Sequence, residues 1–250
     1  MRSFLLLLLC LVVPACARGQ QAPARDRSTD IAYTTVVDSS SGAKLPRLTD
    51  ARTPQARAVN RQLDSLSAGL RCLERIVRGM KTEHYSETRT TYAAGDVLSV
   101  FIRFGGFCGG AHPINGVNLS VTFDLRTGKP VAFRDLFADY DRDAPAIVRA
   151  LFPAQTTVAD RLSPAQIEHL EDGGNEYCVQ FYTAEALAQT YFAYSLSYAG
   201  LVAEPELAHV LTPCIEEAVV PYERVRPFAA PGGILDRVIR VRAGASAANR

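Results

Sequence analysis

Apolar residues recur at Ala56, Val59, Leu63, Leu66, Leu70, Leu73 and Val77. Spacings of three and four place them on one face of a helix, so the pattern predicts an amphipathic helix near 53–79. Thr53 is its expected N-cap, Pro54 occupies the first turn where proline is tolerated, and Gly79 is the expected stop. Cys72 falls well over 90° from the centre of the stripe, at about 100° of rotation per residue. That position favours a disulfide to a neighbouring segment over burial in the core.

Elsewhere the pattern is that of strands. Ile31 to Val37, Tyr85 to Tyr92, Val97 to Phe104, Val117 to Leu125, Val131 to Phe137, Glu176 to Thr183, Tyr191 to Ser197 and Ile215 to Val220 are rich in β-branched and aromatic residues. Val117, Leu119, Val121 and Phe123 alternate onto one face. Turn signals separate the runs at Ala93-Ala94-Gly95-Asp96 and at Arg126-Thr127-Gly128-Lys129. Residues 38–52 read as a loop. Short helices are expected at 141–151, at 163–171 with Ser163-Pro164 as cap, and after Pro221-Tyr222-Glu223. Strands in runs, without regular βαβ alternation, predict an α+β fold with a mainly antiparallel sheet packed with a few helices.

The N-terminus changes the compartment. Arg2 precedes an unbroken apolar run from Phe4 to Val13. A permanent membrane span needs about 20 apolar residues, so the run reads as a secretory signal peptide over 1–15. Val13-Pro14-Ala15-Cys16 resembles a bacterial lipobox that would lipidate Cys16; Ala15-Cys16-Ala17 also suits an ordinary signal peptidase. The lipoprotein is the preferred reading, with the protein exported to the periplasm or outer surface and touching the membrane only through Cys16. The polar residues 16–30 suit a flexible tether. Residues 31–242 are expected to form a single unit, with a sub-division near 95 as an option, and 243–250 a disordered tail.

Losing residues 1–15 removes Arg2 as their only charge and leaves a formally neutral chain. That balance gives no electrostatic footprint for nucleic acid. Of six Cys, Cys10 and Cys16 belong to the export signal. Cys72, Cys108, Cys178 and Cys214 remain, an even number that suggests two disulfides with three connectivities open. Sequence-near pairing gives Cys72–Cys108 and Cys178–Cys214. A metal site is the weaker reading, because no CxxC or HxxxH spacing occurs.

The most unusual segment is Cys108-Gly109-Gly110-Ala111-His112-Pro113. A Cys four residues before a His invites a thiol-enzyme reading. Even pairing of four Cys opposes it, and the glycines then serve a tight backbone path pinned by Cys108. His84, His169 and His209 are scattered. Asp135, Asp139, Asp141 and Asp143 lack the Gly and distal Glu of a calcium loop, so they read as a solvated turn and helix start. No GxSxG, P-loop, HExxH or GxGxxG-helix motif is present. No catalytic residue, metal or cofactor is therefore assigned.

In order, the chain carries Leu98-Ser99-Val100, Gly109-Gly110-Ala111-His112-Pro113, Phe123-Asp124-Leu125, Thr127-Gly128-Lys129, Asp135-Leu136-Phe137 and Val219-Val220-Pro221-Tyr222. This series resembles the extracellular domain shared by RsiV-like anti-sigma factors and the N-terminal part of PdaC-like peptidoglycan deacetylases. A strand, Leu45-Pro46 and a helix containing Val59-Asn60 extend the likeness over most of 31–228. The resemblance implies an α+β domain that receives a ligand outside the cell. Sigma regulation and deacetylation are not carried over, because no segment for either is expected here.

Two functions follow as expectations. The first is a non-catalytic envelope-binding lipoprotein. It would recognise a protein such as a lysozyme-like hydrolase, or peptidoglycan, through Gly109, Gly110, His112 and Asn115. The alternative is an envelope hydrolase acting on peptidoglycan fragments through His112 and a carboxylate such as Asp124 or Asp135. A purely structural envelope component would show no discrete pocket.

Overall fold

The structure is a computed structural model. It describes residues 31–39, 42–70, 83–107, 114–163, 166 and 178–248. The chain opens with strands β1 (Tyr33–Val37) and β2 (Lys44–Leu48) and helix α1 (Pro54–Gly69). Strands β3 (Glu83–Ala94), β4 (Val97–Phe107), β5 (Ile114–Asn118), β6 (Val121–Asp124) and β7 (Lys129–Pro130) follow. A 3-10 turn at Phe133–Leu136 leads to α2 (Tyr140–Leu151), α3 (Pro153–Ala159) and α4 (Ala184–Ala188). The chain then forms β8 (Phe192–Leu196), β9 (Leu201–Pro205), β10 (Ala218–Val220), α5 (Tyr222–Val225) and α6 (Ile234–Ala248). The fold is α+β, and all its strand pairings are antiparallel.

Strand β4 organises the molecule. It pairs with β3 along one edge and with both β6 and β5 along the other, within a five-stranded sheet. Its side chains alternate between faces, as a pleated strand requires. Leu98, Val100, Ile102 and Phe104 enter one apolar core with Leu45, Leu48, Val59 and Leu63 from β2 and α1. Val97 enters the second core, with α2, α4 and the three-stranded sheet β10-β9-β8. Between the sheets the Ser99 hydroxyl accepts the Leu196 amide at 2.9 Å and bonds the Thr122 hydroxyl at 2.8 Å. A buried polar group on this face is thus satisfied rather than orphaned.

Local chemistry explains most boundaries. Thr53 caps α1 by accepting the Ala56 amide at 3.1 Å, and proline stands in the first turn as expected. The helix ends at Gly69 with Leu70 as its C-cap; the expected continuation over 71–79 lies outside the described residues. Gly95 supplies the positive φ of 62° at the β3–β4 turn. Gly128 has φ of 72°, and an added Cβ would stand 2.8 Å from the Gln55 backbone, so the β6–β7 turn and α1 meet without a side chain. Cys178 and Cys214 form a disulfide across 36 residues. The expected Cys72–Cys108 partner pair lies outside the described residues, as does Cys16.

Several expectations need correction. The stretch 38–52 is not only a loop, because Lys44–Leu48 pairs with β1. The strand expected over Val117–Leu125 is two strands, β5 and β6. Asn118 interrupts it by accepting the Ser120 amide at 3.0 Å, the local turn favoured by asparagine. Within the strand expected over Val131–Phe137, Phe133–Leu136 form a 3-10 turn instead, since Phe133, Leu136 and Phe137 all turn into the same core at roughly helical spacing. Gln180–Tyr182 is likewise a 3-10 turn, where a strand was expected. Tyr182 anchors it, donating its hydroxyl to the Cys214 carbonyl and accepting the Glu216 amide, both at 2.8 Å. Ser163 and Gln166 form a reciprocal capping box, as Ser163-Pro164 suggested. Helices α3 and strand β9 were not anticipated. Helical backbone in α6 covers most of the stretch expected to be a disordered tail.

Among the described residues no helix is long and apolar enough to cross a membrane.

Candidate functional site

The two sheets do not close completely. Between the β5–β6 connection and β8 lies a half-open cleft of about 820 Å³. One wall is Asn118, Leu119, Ser120 and Val121. The 3-10 turn supplies Phe133, Arg134 and Asp135, and the opposite wall is Ala188 to Tyr194. Phe133 lies against Phe192 with ring centroids 4.8 Å apart, and meets Tyr194 edge-on at 5.7 Å. These three rings give the cleft an apolar interior. Tyr191 stands at its lip and is 76% exposed. Leu119, also exposed, lines the same cleft.

The polar groups are unequal in freedom. Tyr194 donates its hydroxyl to the Val131 carbonyl at 2.6 Å. Burial pushes that hydroxyl well above the ordinary tyrosine range, so it stays protonated. Arg134 pairs with Asp141 and lies over the Tyr140 ring at 4.8 Å. Asn118 reaches the Glu204 carboxylate at 3.4 Å, where Arg103 also binds it. Asp135 and Glu206 line the cleft with no ion-pair partner among the described residues. The cleft thus offers an aromatic interior, two carboxylates and an exposed ring. Among the described residues its lining holds no Cys and no His. Among the described residues no group of three His, Cys, Asp or Glu could hold a metal ion.

The sequence-predicted site residues divide. Gly109, Gly110 and His112 lie outside the described residues. Asn115 is described only as backbone, in β5. Cys108, which was to pin the loop, also lies outside. Of the two carboxylates considered with His112, Asp135 lines the cleft. Asp124 does not; it belongs to an ion network with Arg126 and Arg237. Asp139, Asp141 and Asp143 behave as the expected helix start. Asp139 caps α2 by accepting the Arg142 amide at 3.2 Å, and Asp143 holds the Arg142 guanidinium at 2.7 Å.

No protein-family model matches the chain, and no curated protein matches it. Solved structures do. One is a DUF3298 family member from Bacteroides fragilis, with TM-score 0.42 and 15% identity, over 70% of this chain and 64% of that one. The chain therefore spans less than two thirds of that protein's length. Another is a DUF3298 family protein from Pseudomonas aeruginosa PAO1, with TM-score 0.46 and 13% identity, over 81% of this chain and 95% of that one.

The residues missed by sequence reasoning are Tyr191, Phe192, Tyr194 and Glu206. A signal was present. Three aromatics in the four residues 191–194 exceed what one buried strand face needs, since alternation must send one of them outward.

Proposed function

We propose that the protein is an exported, non-catalytic binding module of the cell envelope, tethered through Cys16, whose cleft beside β8 receives its ligand. The ligand class carried by the RsiV-like resemblance is a lysozyme-like hydrolase or peptidoglycan. The observation that carries the reading is the half-open aromatic cleft with Tyr191 exposed at its lip. Concave apolar sites with few polar groups are the usual form of a ligand site. The sequence from Gly109 to His112 immediately precedes β5, which leads into the cleft wall at Asn118.

A hydrolase using His112 finds support in one observation only, the place of Asp135 in the cleft. Its other carboxylate, Asp124, is engaged by two arginines.

The test is capture of lysozyme and of purified sacculi by the full chain and by Tyr191→Ala. Retention of either ligand is expected, with a loss of roughly tenfold in the variant. Failure to retain either removes these ligands. Turnover of peptidoglycan fragments that His112→Ala abolishes would favour the hydrolase.

A further inference from the structure

Among the described residues, the cleft-facing edge of β8 pairs with no strand. The register Phe192↔Pro205 through Leu196↔Leu201 pairs β8 with β9 along one side only. Antiparallel pairing alternates, so every second residue turns its N–H and C=O away from the partner. Which residues these are follows from two bonds. The Glu206 amide donates to the Tyr191 carbonyl at 2.8 Å, and the Ser197 amide donates to the Gly200 carbonyl at 2.9 Å. Odd-numbered residues of β8 therefore face β9, and Phe192, Tyr194 and Leu196 face away. The Leu196 amide confirms the phase, since it turns to the Ser99 hydroxyl.

At Leu196 the sheet itself satisfies the outward amide. At Phe192 and Tyr194 no donor or acceptor among the described residues takes the backbone groups. Both residues are buried, 7% and 5% exposed, and both line the cleft. Buried backbone groups are almost always paired, so two N–H and two C=O groups along a cleft wall need an explanation. They repeat at every second residue, which is the repeat of an added strand. Open edges invite such addition, and natural proteins usually blunt them. Here the edge borders a cleft with an aromatic interior instead.

We propose, resting on the cleft as the ligand site, that its ligand is an extended peptide segment of a protein, which adds as a further strand to β8 opposite β9. Its backbone would exchange hydrogen bonds with Phe192 and Tyr194, the mode known as β-augmentation. Alternate side chains would point into the Phe133–Phe192–Tyr194 interior. The flanking residues would meet Asp135 and Glu206, so the complementary peptide carries an apolar residue next to a basic one. Arg134 does not oppose that charge, because Asp141 already holds it. Tyr191 would cover the seated strand from the lip.

Hexapeptides selected from a displayed random library on the full chain, and counter-selected on Tyr191→Ala, are the probes. Amide exchange by NMR reads the edge directly. In the free protein the Phe192 and Tyr194 amides should exchange faster than those of Ala193 and Ser195. The bound peptide should slow both, and N-methylation of the peptide's edge-facing amides should lower affinity about tenfold. Enriched sequences should alternate apolar and basic residues. Slow exchange at Phe192 and Tyr194 in the free protein would overturn the proposal, because the chain would then cover its own edge. So would an N-methylated peptide that binds unchanged, or a library that yields no binder. If lysozyme or sacculus fragments perturb Tyr191 but leave those two amides unprotected, the strand proposal fails while the cleft remains a ligand site. If neither ligand nor any peptide perturbs Tyr191, the cleft reading falls with it.

Discussion

The ion network under the β3–β4 turn and the cleft beside β8 both place charged groups close to apolar cores, yet they leave those groups in opposite states. In the network, Arg237 lies 3.0 Å from Asp96 and 3.1 Å from Asp124, and Arg126 lies 3.1 Å from Asp96. Every charge finds its opposite within the protein. The Arg237 side chain is only 12% exposed, and it ties α6 to the β3–β4 and β6–β7 turns, which lie side by side at one end of the sheet. In the cleft, Asp135 and Glu206 have no cationic partner among the described residues, and the β8 edge presents backbone groups outward. Arg237 and Asp124 are largely buried and need partners because desolvation is costly, whereas Asp135 and Glu206 are exposed and solvated. A group already paired has little left to give a ligand. The contrast gives the first region a part in stability and agrees with the second as the proposed site of recognition.

The largest effect should come from breaking the closed network. Arg237→Met removes the cation shared by Asp96 and Asp124 and leaves Asp124 with Arg126 alone. The expected cost is about 3–5 kcal/mol of folding stability, measured by denaturant unfolding. Capture of ligand by the fraction that remains folded should be unchanged. A cost below about 1 kcal/mol would mean that the network is dispensable, and the contrast would lose its structural half.

Acid should probe the same network more gently. Burial pushes the Asp124 carboxyl upward, but hydrogen bonds from the Arg126 side chain and backbone and the charge of Arg237 outweigh it. The result is a value below its ordinary 3.8. A folded-state pKa depressed below the unfolded one stabilises fully above about 3.8 and loses that contribution as the pH falls through the folded value. Stability should therefore decline below pH 3.8, and Asp124→Asn should flatten the decline. The variant should also cost about 1–3 kcal/mol near neutrality, because the arginine donors lose a charged acceptor. Urea unfolding at several pH values between 2 and 7 measures both. A variant with the full acid slope would place the protonation event elsewhere.

The contrast also explains what the sequence could disclose. Helix α1 was legible because one stripe buries one face, so Ala56, Val59 and Leu63 repeat at helical spacing. Strands β3 and β4 were legible because a glycine turn separates two runs of β-branched and aromatic residues. The Cys178–Cys214 pairing followed from nearness in sequence. Strand β2 was hidden because Pro46 interrupts its pattern, which an outer strand tolerates. The 3-10 turn at Phe133–Leu136 was hidden because short apolar runs do not distinguish helix from strand. The cleft is built from five segments, at 66, 118–121, 130–135, 188–194 and 206, that meet only when helix and sheets pack. No local spacing encodes that meeting. Tyr191 and Tyr194 could be read as strand residues, but not as lip and interior of one cleft.

The smallest expected effect on stability belongs to the residue expected to matter most for binding. Tyr191 precedes β8 and keeps its ring in solvent, so Tyr191→Ala removes no buried contact from either core. Its backbone carbonyl still accepts the Glu206 amide in the variant, since that bond needs no side chain. Unfolding free energy should therefore change by no more than about 0.5 kcal/mol, the usual range for surface substitutions. The same variant should lose roughly tenfold in capture of ligand. Paired measurements on one protein make the comparison sharp. A large loss of stability would mean that Tyr191 packs against the cleft wall as part of the fold, and the exposed lip would then be structural. Unchanged stability with unchanged capture would move recognition away from this cleft. Unchanged stability with weakened capture is the outcome that separates the two regions, because Arg237→Met should show the reverse.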